Sequence, residues 1–235
     1  MPLEPVPVPQ AGSGTSSVSV WDLPVRLFHW LLVASIATSW TSAELGWMRV
    51  HFLSGYTILT LLLFRLGWGI IGSQPARFAT FVKGPRAALD HLRELRLPPD
   101  HTPPVLGHNP LGGWMVVILL VVLLVQAGSG LFTTDDIMVD GPFVAQASGA
   151  IVKTLSTVHR LLFKLIFVLA SIHIAVIAAY LLIRRENLIR PMITGRKPVP
   201  AGMQVEAPVL RSGLLSAALV FGLAVTAVVV VLRTT

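Results

Sequence analysis

An unbroken run of about twenty apolar residues is what one helix needs to cross the roughly 30 Å hydrocarbon core of a bilayer, and this chain repeats such a run along its length. The runs are Leu27 to Trp47, Phe52 to Ile71, Gly113 to Phe132, Leu161 to Ile183 and Leu214 to Leu232. Inside lipid the backbone must satisfy its own polar groups, which predicts helices rather than open sheets. With 54% hydrophobic and only 12% charged residues, the composition lies outside that of ordinary soluble domains. The sequence therefore predicts an all-α integral membrane protein in which four spans form a bundle and a C-terminal span is added.

Charge sets the expected orientation. Arg77, Lys83, Arg86, Arg93 and Arg96 follow the second span, and Arg184, Arg185, Arg190, Arg196, Lys197 and Arg211 follow the fourth. The positive-inside rule puts both loops, and with them the N-terminus, in the cytoplasm. Glu44, Asp135, Asp136 and Asp140 occupy the opposite side. The net charge of +7 is explained by these flanking positions, so no nucleic-acid partner is expected. Residues 1–19 are rich in Pro, Ser and Gly, lack the basic and apolar regions of a signal peptide, and are expected to be a disordered tail. In the loop after the second span, Pro85 to Arg96 has the pattern of a short helix lying in the interface or of a plain surface connector, and Pro98, Pro99, Pro103 and Pro104 end it.

Within this apolar frame stand four histidines, His29, His51, His159 and His173. An imidazole at membrane depth is costly and marks function. His159 and His173 are fourteen residues apart, about 21 Å along a helix and nearly on one face. By depth, the consistent partners are His29 with His173 near the inner surface and His51 with His159 near the outer one. Each couple suits the two axial positions of one haem iron, which favours electron transfer because no site is left open for small ligands. Zinc would gather about four ligands at one point, which this stacking does not offer. The competing readings are polar pore or packing histidines, and in that case a cofactor-free channel or scaffold. With no cysteine in the chain, disulfides, thiolate clusters and covalently attached haem are excluded.

Arg65 lies fourteen residues beyond His51, at the level of the inner couple, and a buried guanidinium there calls for an anion such as a haem propionate. Arg26, one turn before His29, is placed for the same role or for interface anchoring. Gly55, Gly128 and Gly130 leave room either for a flat macrocycle or for close helix packing. Of the loop histidines His91, His101 and His108, only His108, in Gly107-His108-Asn109-Pro110-Leu111-Gly112-Gly113, leads directly into a span near the inner couple, where a propionate or a quinone head group would lie.

The segment Val20-Trp21-Asp22-Leu23-Pro24-Val25-Arg26-Leu27-Phe28-His29-Trp30 resembles the bacterial cytochrome b561 family, which includes nickel-iron hydrogenase b-type subunits. So do His51 to Tyr56, Phe64-Arg65-Leu66-Gly67-Trp68-Gly69, the Gly107 to Gly113 run, Arg185-Glu186-Asn187-Leu188 and Met192-Ile193-Thr194-Gly195-Arg196-Lys197. The resemblance implies a four-helix bundle with two haem b groups over residues 20–198, held by His29, His51, His159 and His173, in a bacterial inner membrane. It also implies electron transfer between quinone and a redox partner, either a periplasmic cytochrome or a hydrogenase or other dehydrogenase subunit. Residues 199–235, a linker and fifth helix, fall outside it.

Overall fold

The computed structural model describes residues 15–94, 107–135, 139–200, 208–210 and 213–234. Its elements are β1 (Thr15–Ser19), α1 (Leu23–Glu44), α2 (Met48–Ile71), α3 (Phe78–Phe81), α4 (Pro85–Glu94), α5 (Pro110–Gly130), α6 (Gly149–Leu182), α7 (Ile189–Thr194), β2 (Arg196–Pro200) and α8 (Leu214–Arg233). Residues 1–14 of the expected tail, His101, Arg96, the prolines from Pro98 to Pro104, Asp136, Arg211 and most of the 199–213 linker lie outside the described residues.

Helix starts follow local chemistry. Asp22 caps α1 by accepting from the Val25 amide at 2.8 Å, with Pro24 in the first turn, and Asn109 caps α5 by accepting from the Gly112 amide at 2.7 Å ahead of Pro110. Gly46, at φ 71°, makes the left-handed step that reverses the chain between α1 and α2. Gly195, at φ 79°, ends α7, and its carbonyl accepts from the Val20 and Trp21 amides.

That docking joins the two ends of the bundle domain. β1 pairs antiparallel with β2, with Ser19 opposite Arg196 and Thr15 opposite Pro200. The all-α expectation is thus corrected by a two-stranded ribbon, and residues 15–19 of the expected tail are one of its strands. Alternation of Ser and Val over so short a run gave no contrast against a polar linker, and the partner strand is almost two hundred residues away in the chain.

Among the described residues, four helices, α2, α5, α6 and α8, are long and apolar enough to cross a membrane. The expected span Leu27 to Trp47 is not among them. Helix α1 has the length, but Arg26, Ser35, Thr38, Ser39, Thr41, Ser42 and Glu44 dilute its hydropathy. Helix α6 begins at Gly149, twelve residues before the expected Leu161, because its first turns carry Lys153, Thr154, Ser156 and Thr157, polar yet helix-compatible. Its 34 residues extend about 51 Å, beyond the bilayer core.

Two hairpins make the frame: α1 packs on α2, α5 on α6, and α2 on α5. Helix α2 is central, with Leu61, Leu62, Phe64 and Trp68 buried. Helix α8 lies on its outer side, where Gly67 admits the Val220 side chain and Phe64 meets Phe221 edge-on at 6.0 Å. Helix α6 has no comparable backbone packing with α1 or α2. The rings of Trp40 and Phe163, 6.3 Å apart, help bridge that space.

Candidate haem-binding interior

The space between the hairpins is where His51 and His159 meet. Their ring centroids are 6.2 Å apart and their planes are at 89°. The Nδ1 of His51 lies 2.9 Å from the Ser39 carbonyl, and the Nδ1 of His159 lies 2.9 Å from the Gln126 carbonyl. A carbonyl can only accept, so Nδ1 carries the proton in both rings and Nε2 keeps the lone pair a metal requires. The Ser39 hydroxyl, at 3.2 Å, and the Ser129 hydroxyl, at 3.4 Å, reach the same Nδ1 atoms. The Gln126 carboxamide nitrogen donates to the His159 Nε2 at 3.3 Å, while its Oε1 is buried without a hydrogen-bond partner.

A 440 Å³ cavity opens beside this pair, within the range of cofactor sites. All four bundle helices line it, with Ile36, Trp40, Tyr56, Leu123, Phe163 and Ile166 supplying apolar wall, and Glu44, Asp135 and Arg160 bringing charge. Gly55 is on this wall, and a Cβ there would meet nothing within 4 Å. Gly128 likewise faces open space, whereas a Cβ on Gly130 would come within 2.9 Å of the His159 ring. The glycines therefore divide: Gly130 admits the imidazole itself, and Gly55 leaves the cavity wall free.

At the other end of the bundle, His173 on α6 is close enough to His29 on α1, and to His108, to act electrostatically on both. His29 Nδ1 is buried with no hydrogen-bond partner. Arg65 is 2% exposed, its guanidinium 4.8 Å from the Phe78 ring centroid and 5.8 Å from that of Phe81, a cation–π seat. Its Nη1 has no hydrogen-bond partner. Arg26 donates through Nη1 to the Ile193 carbonyl, leaving its Nε buried and unpartnered. His108 is sandwiched between Trp21 and Phe81, at centroid distances of 4.6 and 4.7 Å. Burial, with Arg65 and His173 adding repulsion, pushes its pKa down to about 3. His91 instead contacts the Tyr180 hydroxyl at 3.3 Å, and Asn109 donates to the same oxygen at 2.9 Å.

Sequence reasoning passed over Ser39, Gln126 and Ser129, whose roles depend on which helix faces each histidine. It also passed over Asp22, whose position before Leu23-Pro24 does carry a capping signal.

The sequence profile of the prokaryotic cytochrome b561 family matches residues 20–195. A probable Ni/Fe-hydrogenase B-type cytochrome subunit of Rhizobium leguminosarum bv. viciae is 25% identical over 220 residues, covering 77% of this chain and 89% of the relative. One of the same description from Azotobacter chroococcum mcd 1 is 24% identical over 211 residues, covering 77% and 88%. No solved structure matches the chain. The matched region holds the hairpins, the ribbon-docking glycine and His29, His51, His159 and His173, and so this multi-pass membrane protein belongs to the prokaryotic cytochrome b561 family.

Proposed function

We propose that the protein is a dihaem b-type cytochrome passing electrons between a redox partner and the quinone pool of a bacterial inner membrane, with its N-terminus cytoplasmic. Family membership implies haem b, and the residues present fit it. The observation that carries the reading is the His51–His159 pair: the rings lie 6.2 Å apart beside the 440 Å³ cavity, each with its Nδ1 tied to a backbone carbonyl, so that each Nε2 would keep the lone pair needed to hold a haem iron. Held by His51 and His159, haem would supply a one-electron carrier there. His29 and His173 form the second ligand pair. The unpartnered guanidinium nitrogens of Arg65 and Arg26 suit propionate carboxylates at that end. His108 stays neutral beside them and packs the cofactor edge or a quinone head group.

The hydrogenase-type names of the relatives favour one partner class, so the protein serves as membrane anchor and electron-transfer subunit of a hydrogenase or other dehydrogenase. The test is to purify the full chain from haem-replete membranes, record reduced-minus-oxidised spectra and add a short-chain quinol. A b-type spectrum that the quinol reduces is expected. Haem-free protein, or haem inert to quinol, overturns the reading, and a stoichiometric hydrogenase subunit in the same fraction identifies the partner.

A further inference from the structure

Helix α4 presents three faces rather than two. At about 100° per residue, Ala87, Ala88 and His91 share one side, Arg86, Asp90 and Arg93 a second, and Leu89 and Leu92 a third that lies between them. The first side is half-buried: α4 packs on α5, and the His91 Nε2 lies 3.3 Å from the Tyr180 hydroxyl of α6. The second is exposed, with Arg93 donating to Asp90 at 3.1 Å. On the third, Leu89 is 57% and Leu92 48% exposed. A helix with only protein and water around it turns its leucines to the protein, yet here alanine and histidine take that side.

The level at which α4 is pinned says what covers the leucines. Tyr180, whose hydroxyl also accepts from Asn109 at 2.9 Å, is in the last turn of α6. Just ahead of α4, the Lys83 carbonyl accepts from the Trp114 indole near the start of α5 at 3.0 Å. Both α5 and α6 are apolar enough to cross a membrane, and the exposed apolar surface of α6 continues past Tyr180 to Leu182 and Ile183. Helix α4 therefore sits where hydrocarbon gives way to head groups. Lys83, Arg86 and Arg93 are exposed around it, and cations that flank an apolar face at this depth complement negatively charged lipid.

We propose that α4 docks on the bilayer, with Leu89 and Leu92 inserted among the acyl chains and Lys83, Arg86 and Arg93 on anionic phospholipid head groups. The helix lies along the membrane plane and ties the loop after α2 to the start of α5 and the end of α6. With the orientation given by the charged loops, the leaflet is the cytoplasmic one. This placement needs no bound haem.

The chain contains no cysteine, so a single one can be introduced for labelling. Full-length protein carrying Leu89→Cys, Leu92→Cys or Asp90→Cys, each with a nitroxide spin label, is reconstituted in nanodiscs of phosphatidylcholine, with or without phosphatidylglycerol. Labels at the two leucine sites should collide with oxygen, which concentrates in hydrocarbon, several times more than with a water-soluble nickel chelate. The label at the Asp90 site should show the reverse. Phosphatidylglycerol should deepen the Leu89 label, and Lys83→Gln combined with Arg86→Gln should abolish that gain. Leucine-site labels that meet the chelate as readily as the Asp90 site does, or that meet neither reagent and so are covered by protein, overturn the docking. A depth indifferent to phosphatidylglycerol overturns the preference for anionic lipid. If one leucine variant does not accumulate, the other decides.

Discussion

The carboxylate of Asp22 accepts a 3.0 Å hydrogen bond from the Trp68 indole, joining the first residue before α1 to the last turn of α2. Both groups are buried, Asp22 at 7% exposure and Trp68 at 0%. The same carboxylate caps α1 and accepts from Ser73, so one side chain fixes how the first hairpin closes next to His29 and Arg65. Asp22→Ala loses the cap, about 1 kcal/mol, and hydrogen bonds to a charged acceptor, about 1.5–3 kcal/mol. A stability loss of about 2–4 kcal/mol is expected in a reversible detergent titration, with the haem nearer His29 released first. A loss below about 0.5 kcal/mol would show that the three bonds do not hold the hairpin.

The glycine contacts separate two roles. A Cβ on Gly130 would lie 2.9 Å from the His159 ring, so Gly130→Ala should displace the imidazole and reduce occupancy of the His51–His159 haem. Gly128→Ala meets nothing within 4 Å and should bind as the wild type does. Equal haem content in the two variants would remove the steric account.

Helix α8 leans on α2 through Gly67 and Phe64, away from the cavity. Removing residues 208–235 should leave the visible spectrum and haem content unchanged, though exposing apolar surface on α2. Disappearance of either haem in the truncated protein would make the fifth helix part of the cofactor housing.

His108 makes the fold sensitive to acid. Its pKa is lowered from the ordinary 6.5 to about 3, so the unfolded chain binds a proton that the folded one refuses. The stabilisation from keeping it neutral is full above pH 6.5 and is lost as pH falls toward 3. His108→Phe should flatten the decline in thermal midpoint over that interval. An unchanged slope would mean that His108 is not the group responsible.

What could be read from the sequence follows physical range. The apolar runs located α2, α5, α8 and most of α6, because hydropathy is a local property. The depth argument for His51 and His159 was also open to reading, since a fixed rise per residue converts position into height. The β1–β2 ribbon and the carbonyls of Ser39 and Gln126 were not, because each depends on which segments meet across the fold. Helix α1 was read as the apolar span Leu27 to Trp47, yet its hydroxyl-rich second half falls short of the apolarity of a lipid-facing span. From that half, Ile36, Ser39, Trp40, Ala43 and Glu44 line the cavity instead.

The central claim is that four histidines act as two couples. Haem per chain, measured by pyridine haemochromogen assay on the wild type and on His29→Ala, His51→Ala, His159→Ala and His173→Ala, addresses it most directly. The account predicts two haems in the wild type and one in each variant, with His51→Ala matching His159→Ala in residual spectrum and His29→Ala matching His173→Ala. A single haem in the wild type, or residual spectra that match across the couples, would contradict it.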